Sequence, residues 1–139
     1  MKSLNPNYIE EVKKVFTEAK CINNHSIKLV KSDVGYCEAS FLINEDHLQH
    51  LKRVQGGILA MLAGHAALGA AIPVVPAAAK LVSPEFQISL LRAAEKGEVV
   101  AKAKVLKPGK VTFVEVEIYN SIEEKVKLVA KAKYSFVSL

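Results

Sequence analysis

Residues 54–76 read VQGGILAMLAGHAALGAAIPVVP, with no charged side chain. No other stretch is long and apolar enough to cross a bilayer, and no other opens on a turn, Gly56-Gly57, suited to hold a ligand. About 18 apolar residues nominate a membrane span, and Ile58 to Val75 reaches that length. Three features favour a helix buried in a soluble protein. The run is rich in alanine and glycine rather than leucine, His65 lies at its middle, and no tryptophan or tyrosine flanks it as an interfacial anchor. About 60 residues of alternating apolar and polar character follow, the pattern of a sheet. Pro73 and Pro76 stop the helix, which is expected from about Gly56 to Ala71.

Working outward, Asn5-Pro6 reads as a helix start, with an Asn cap, Pro at the first position and Glu10 and Glu11 near the positive dipole end. Ile9, Val12, Val15 and Phe16 recur at helical spacing, and Cys21 to His25 reads as a loop. Strands are expected over Ser26–Ser32 and Tyr36–Ile43, joined through Asp33-Val34-Gly35, followed by an irregular stretch to Arg53 with one helical turn. Beyond the apolar helix, Leu81–Arg92 places Val82, Phe86, Ile88 and Leu90 on one face and Ser83, Glu85, Gln87 and Ser89 on the other. Pro84 inside that run implies an edge strand or a bulge. Glu98–Lys107, Val111–Asn120 and Lys125–Val137 supply three more strands, with Pro108-Gly109 as a turn. One apolar helix and about six amphipathic strands have an economical solution. The expected fold is α+β: a curved antiparallel sheet wraps one long central helix and buries it on nearly every side. Residues 1–139 form one domain, with a helix in 1–20 and the core in 25–137.

Composition narrows the function. The 139 residues are 50% hydrophobic and 24% charged, a globular balance, but only 6% aromatic with no tryptophan. The net charge of +5 is carried by lysine, since Arg53 and Arg92 are the only arginines. Lysines alternating with apolar residues read as solvated strand faces and guarded edges, not as a nucleic-acid groove, which would concentrate arginine or interleave aromatics. Cys21 and Cys37 lack metal-ligand spacing, and a disulfide between them depends on geometry. Residues 1–6 lack the apolar core of a signal peptide. A reduced, cytoplasmic protein without nucleic-acid or membrane partners is expected.

The order of elements, with Gly56-Gly57 opening the central helix, resembles the hotdog fold, and within it the small acyl-CoA thioesterases of the phenylacetic-acid-degradation (PaaI) type. The resemblance spans roughly residues 25–137. It is carried by His47-Leu48-Gln49-His50, the run Val54 to Ala63, the run Leu90 to Gly97, Val105 to Lys110, and Leu128 to Ala132. It implies thioester hydrolysis at the helix N-terminus, where free backbone N–H groups at the positive dipole end stabilise an oxyanion. Gly56 matches the oxyanion glycine, with Gly57 beside it lining the substrate site. Gln55 stands where the family usually has histidine, Gln49 where it usually has asparagine, and Ser83 matches a hydroxyl beside the catalytic water. The family's carboxylate falls on Gly64, which cannot act as a base. Hence two functions compete: hydrolysis of an acyl-CoA-type thioester, or binding of acyl-CoA without turnover.

On this resemblance, another group would have to stand in for the acid. His65 titrates near neutrality, but it is rotated about 100° from Gly64, and its plainer role is a core histidine with a backbone partner. Glu85 and Gln87 contribute only if the polar side of their strand lines the cleft. The only aspartates are Asp33, in a turn, and Asp46, in a loop with His47 and His50 that lacks a convincing fourth metal ligand. Arg92, Lys107 and Lys110 are candidates to meet coenzyme A phosphates. No cofactor is expected beyond the coenzyme A of the substrate. A homodimer or dimer of dimers, with the cleft between protomers, is expected because a lone domain leaves a sheet edge and apolar surface uncovered.

Overall fold

A computed structural model describes residues 1–139. The chain runs through α1 (Tyr8–Glu18), α2 (Lys20–Asn24), β1 (Lys28–Asp33), β2 (Tyr36–Leu42), α3 (Gly56–Ala71), β3 (Leu81–Leu90), β4 (Glu98–Lys107), β5 (Val111–Ile122) and β6 (Lys125–Ser138). Single 3-10 turns occupy Glu45–His47 and Ile72–Val74. All six strands form one antiparallel sheet in the order β1-β2-β4-β5-β6-β3, so β1 and β3 are its edges.

The alternation in β4, β5 and β6 sends one residue in two toward α3. Val99, Ala101, Ala103 and Val105 are buried from β4, and Val114, Val116 and Ile118 from β5. They meet Leu59, Leu62, Ala63, Ala66, Ala67 and Ala70, which are buried on α3. Alanines on both sides of this contact let backbone layers approach closely, which explains why the helix is alanine-rich instead of leucine-rich. The segment Gly56–Val74 meets the length and apolarity of a membrane span, yet 67% of it is buried inside the domain. This is the hotdog arrangement.

The helix is buried on nearly every side as expected, and the exception is one stripe, Gly57, Met61, Gly64 and Leu68, which stays at least partly exposed alongside β3. Several expectations need correction. The first helix begins at Tyr8 and not at Pro6, because Asn5 turns the chain beforehand. Its Oδ1 accepts from Asn7 N–H at 2.9 Å, and its Nδ2 donates to Glu11 at 2.8 Å. The expected loop at 21–25 is largely the short helix α2. Pro84 marks both an edge and a bulge, since register slips between Val82 and Glu85. That slip puts Val82, paired with Val137, on the outer face with Glu85 and Gln87, and not on the face of Phe86. The two cysteines are free. Cys21 is exposed, whereas burial of Cys37 beneath α3 pushes its thiol up to about 12.

Candidate functional site

The chain enters α3 through a tight loop. Leu48 and Val54 form an isolated antiparallel bridge, and Gln49 N–H donates to Arg53 O at 2.8 Å. Between them Lys52 takes a left-handed φ of 63°. His47 anchors this loop and is completely buried. Its Nδ1 accepts from Asn44 N–H at 3.0 Å, its Nε2–H donates to His25 O at 2.6 Å, and its ring lies 4.1 Å from that of Phe41. Those bonds make Nδ1 the acceptor and Nε2 the donor. The His47 carbonyl accepts from Gln55 N–H at 3.0 Å, so His47 sets where α3 begins. Nothing in the sequence distinguished it from a loop histidine, because its partners are brought in by α2 and β2.

Gln55 caps α3. Its Oε1 accepts from Ile58 N–H at 3.2 Å, an unusual use of a residue longer than the favoured caps. The Gly56 and Gly57 N–H groups have no acceptor in the protein. They lie at the positive end of a 16-residue helix dipole. Both glycines have side-chain ends close by: a Cβ at Gly56 would lie 2.7 Å from Leu90 Cδ1 and one at Gly57 2.6 Å from Gln55 Oε1, so a substitution would displace the tip of an exposed side chain. Gly57 is exposed, and the first turn opens onto a groove of about 340 Å3 lined by Gln49, Arg53, Leu59, Leu90 and Arg92. No Asp or Glu lines it.

The other candidates divide between this groove and distant places. Gln49 lines the groove, but its Oε1 accepts from Leu51 N–H, so that oxygen serves its own turn. Arg92 is also there, with Nη1 donating to Leu128 O at 2.9 Å. His65 is elsewhere. Its Nε2–H donates to Val15 O on α1 at 2.9 Å and its ring meets Phe16 edge-on at 5.1 Å. That fits its plainer role of a histidine with a backbone partner and turns the ring away from the catalytic candidate's place at the groove. Burial lowers the His65 pKa, only partly offset by that backbone bond, which keeps the ring neutral. Ser83 stands seven residues from Leu90, about 23 Å along an extended strand, and donates to Glu85 O at 3.1 Å. Within one protomer it cannot touch a water at Gly56. Glu85 and Gln87 pair with Ser135 and Lys133 on the outer face, away from α3, so Glu85 is no replacement acid here. Lys107 lies on that outer surface and Lys110 beyond the opposite end of α3, so within one protomer neither flanks the groove.

Gly64 has a specific neighbour. A Cβ there would lie 3.2 Å from Tyr134 Cε2 and 3.5 Å from its hydroxyl. That hydroxyl donates to Ala60 O at 2.6 Å, and the ring stacks on Phe86 at 4.8 Å and 6°. Burial pushes the phenol up to about 12, so it is a neutral donor near pH 7. The space beside Gly64 is therefore aromatic. The sequence showed a glycine at position 64 but not the ring beside it, which arrives from β6.

No family model matches the chain, and no curated protein matches it by sequence. Solved structures do. A thioesterase family protein from Silicibacter pomeroyi superposes with a TM-score of 0.90 at 19% identity, covering 95% of this chain and 98% of that one. The E. coli PaaI protein, from the phenylacetic acid degradation operon, gives 0.84 at 20% identity, over 99% of this chain and 96% of that one. Zebra fish thioesterase superfamily member 2 gives 0.77 at 20% identity, over 96% and 97%. The protein thus shares the hotdog fold of thioesterase-superfamily proteins across nearly its whole length.

Proposed function

We propose that this is a thioesterase-like hotdog protein that receives an acyl-CoA-type thioester at the N-terminus of α3 and hydrolyses it. The observation that carries the reading is that the Gly56 and Gly57 N–H groups at the start of α3 have no acceptor, with Gly56 lining an open groove. A thioester carbonyl placed there meets a donor that strengthens as its oxygen gains charge, the arrangement that lowers an acyl-transfer barrier. Water adds to the carbonyl carbon, the C–S bond breaks, and the thiolate leaves with the proton, giving a carboxylic acid and a thiol. Gln55, with its amide NH2 beside the same turn, is the group to hold the water or the carbonyl, and Arg92, which lines the groove, is a cation for an anionic part of the substrate. No cofactor is needed beyond the coenzyme A that the substrate carries, and the setting is cytoplasmic.

The cleft is completed by a second copy. Edge strand β3 leaves Phe86 and Leu90 50% and 55% exposed beside the uncovered stripe of α3. A two-fold axis pairing β3 with β3 covers both and reverses the partner's strand. The Ser83 end of one strand then lies near the Leu90 end of the other, bringing a hydroxyl toward Gly56. A homodimer, or a dimer of such dimers, is the assembly this supports.

A thiol-release assay over short, medium, long and aryl acyl-CoAs tests hydrolysis. Gly56→Pro removes one donor while proline remains compatible with the first helical position, and turnover should fall about 100- to 1,000-fold. One observation favours a second reading, binding without turnover: the groove holds no carboxylate and the place beside Gly64 is occupied by Tyr134. Saturable acyl-CoA binding with no thiol release would establish it.

A further inference from the structure

A cavity of about 720 Å3 lies at the opposite end of α3 from Gly56, and the thioester reading makes no use of it. Its walls are tied together. The N-terminal segment is pinned where Leu4 N–H donates to Pro73 O at 2.9 Å and Ser3 Oγ–H to the same carbonyl at 3.2 Å. The segment after α3 closes with Ala79 N–H on Pro76 O at 2.9 Å, and Leu139 N–H holds Lys80 O at 2.8 Å. The β4–β5 turn, Pro108 to Lys110, forms the remaining side. The volume is that of a small-molecule site, about 300–1,000 Å3.

The lining is amphipathic in a particular way. Leu4, Val75, Ala79 and Leu81 make it apolar, Lys2 and Lys110 bring two positive charges, and no Asp or Glu takes part. Neither lysine belongs to an ion pair; the pairs in the protein are Arg53 with Glu95, and Lys131 with Glu115 and Glu117. Apolar walls with two unpaired ammonium groups suit a ligand with an apolar tail and an anionic head. We propose that this cavity is a second ligand site, for an apolar-tailed monoanion of the fatty-carboxylate kind, with the chain inside and the head between Lys2 and Lys110. Within one protomer it is separate from the groove at Gly56, and its occupancy does not depend on turnover there.

Calorimetric titration of the whole protein with decanoate, decyl phosphate, decanol and coenzyme A tests the site. Saturable decanoate binding is expected, weakened about tenfold by Lys110→Glu, consistent with losing one charge-assisted contact, and unchanged in Gly56→Pro. Ala79→Trp, which fills the cavity, should abolish it; if that variant does not fold, Lys110→Glu alone decides. Decyl phosphate should bind as well, because the shared requirement is tail plus anion. Absence of saturable decanoate binding overturns the proposal, as does decanol binding equally well. Loss of binding in Gly56→Pro with Lys110→Glu unaffected would move the ligand to the α3 groove. Competition by coenzyme A, which lacks the apolar tail, would assign Lys110 to substrate phosphates and also overturn it.

Discussion

Gly64 and Tyr134 have to be changed together. An acid introduced by Gly64→Asp meets a ring only 3.2 Å from its Cβ, held by the Ala60 carbonyl and by stacking on Phe86. The single variant is expected to lose about 1–3 kcal/mol of stability, the usual cost of overpacking, and to gain no turnover. Gly64→Asp with Tyr134→Leu should gain turnover in the thiol-release assay, because the carboxylate then has room beside the helix. His65 gives a pH signature at the same scale. Its folded pKa is lowered, so the unfolded chain binds the proton more readily. Its contribution is whole above the unfolded value of about 6.5 and is lost as pH falls through the lowered folded value. Thermal melts should show a steeper loss of Tm between about pH 7 and about pH 5 for the native protein than for His65→Gln, which retains a neutral donor. That His65 is a core residue with a backbone partner was readable from its place in an apolar run. That the partner is Val15 was not, because residues 50 apart in sequence meet only when α1 docks on α3.

Between elements, the approach of α3 to β2 is set by Gly69 and Cys37. A Cβ at Gly69 would stand 2.5 Å from the Cys37 sulfur and 3.2 Å from its Cβ. Alanine at an exposed helix site would gain about 1 kcal/mol in propensity over glycine. Here Gly69→Ala should instead destabilise by about 1–3 kcal/mol. Cys37→Ala added to it should recover part of the loss, and urea melts of the four-member cycle measure that coupling. The limits of β4 followed directly from alternation, and those of α3 from its bounding glycine and proline. β3 was harder. Pro84 signalled irregularity, but which side Val82 takes depends on where the extra residue is inserted against Phe136, and pairing alone decides that.

For the molecule as a whole, the uncovered edge of β3 and the bare stripe on α3 predict association. Phe86→Asp places a charge where the two-fold contact is proposed. It should turn the oligomer into monomers in sedimentation velocity and reduce thiol release with it, since the cleft then lacks its second wall. An unchanged sedimentation coefficient would remove the dimeric cleft.

The amino-acid sequence by itself determined the kind of molecule. An uncharged small-residue helix followed by alternating strands has few ways to hide its apolar surface, and local periodicity records which ones. It also showed the glycine pair that opens the helix and the further glycine, Gly64, within it. Only the tertiary structure decided what surrounds them. Tyr134 stands at Gly64, Leu90 at Gly56 and His47 beneath Gln55, while within one protomer His65, Ser83, Glu85, Lys107 and Lys110 lie away from the groove. The physical reason is that side-chain neighbours across a sheet and a helix follow from register and docking, which no local pattern encodes.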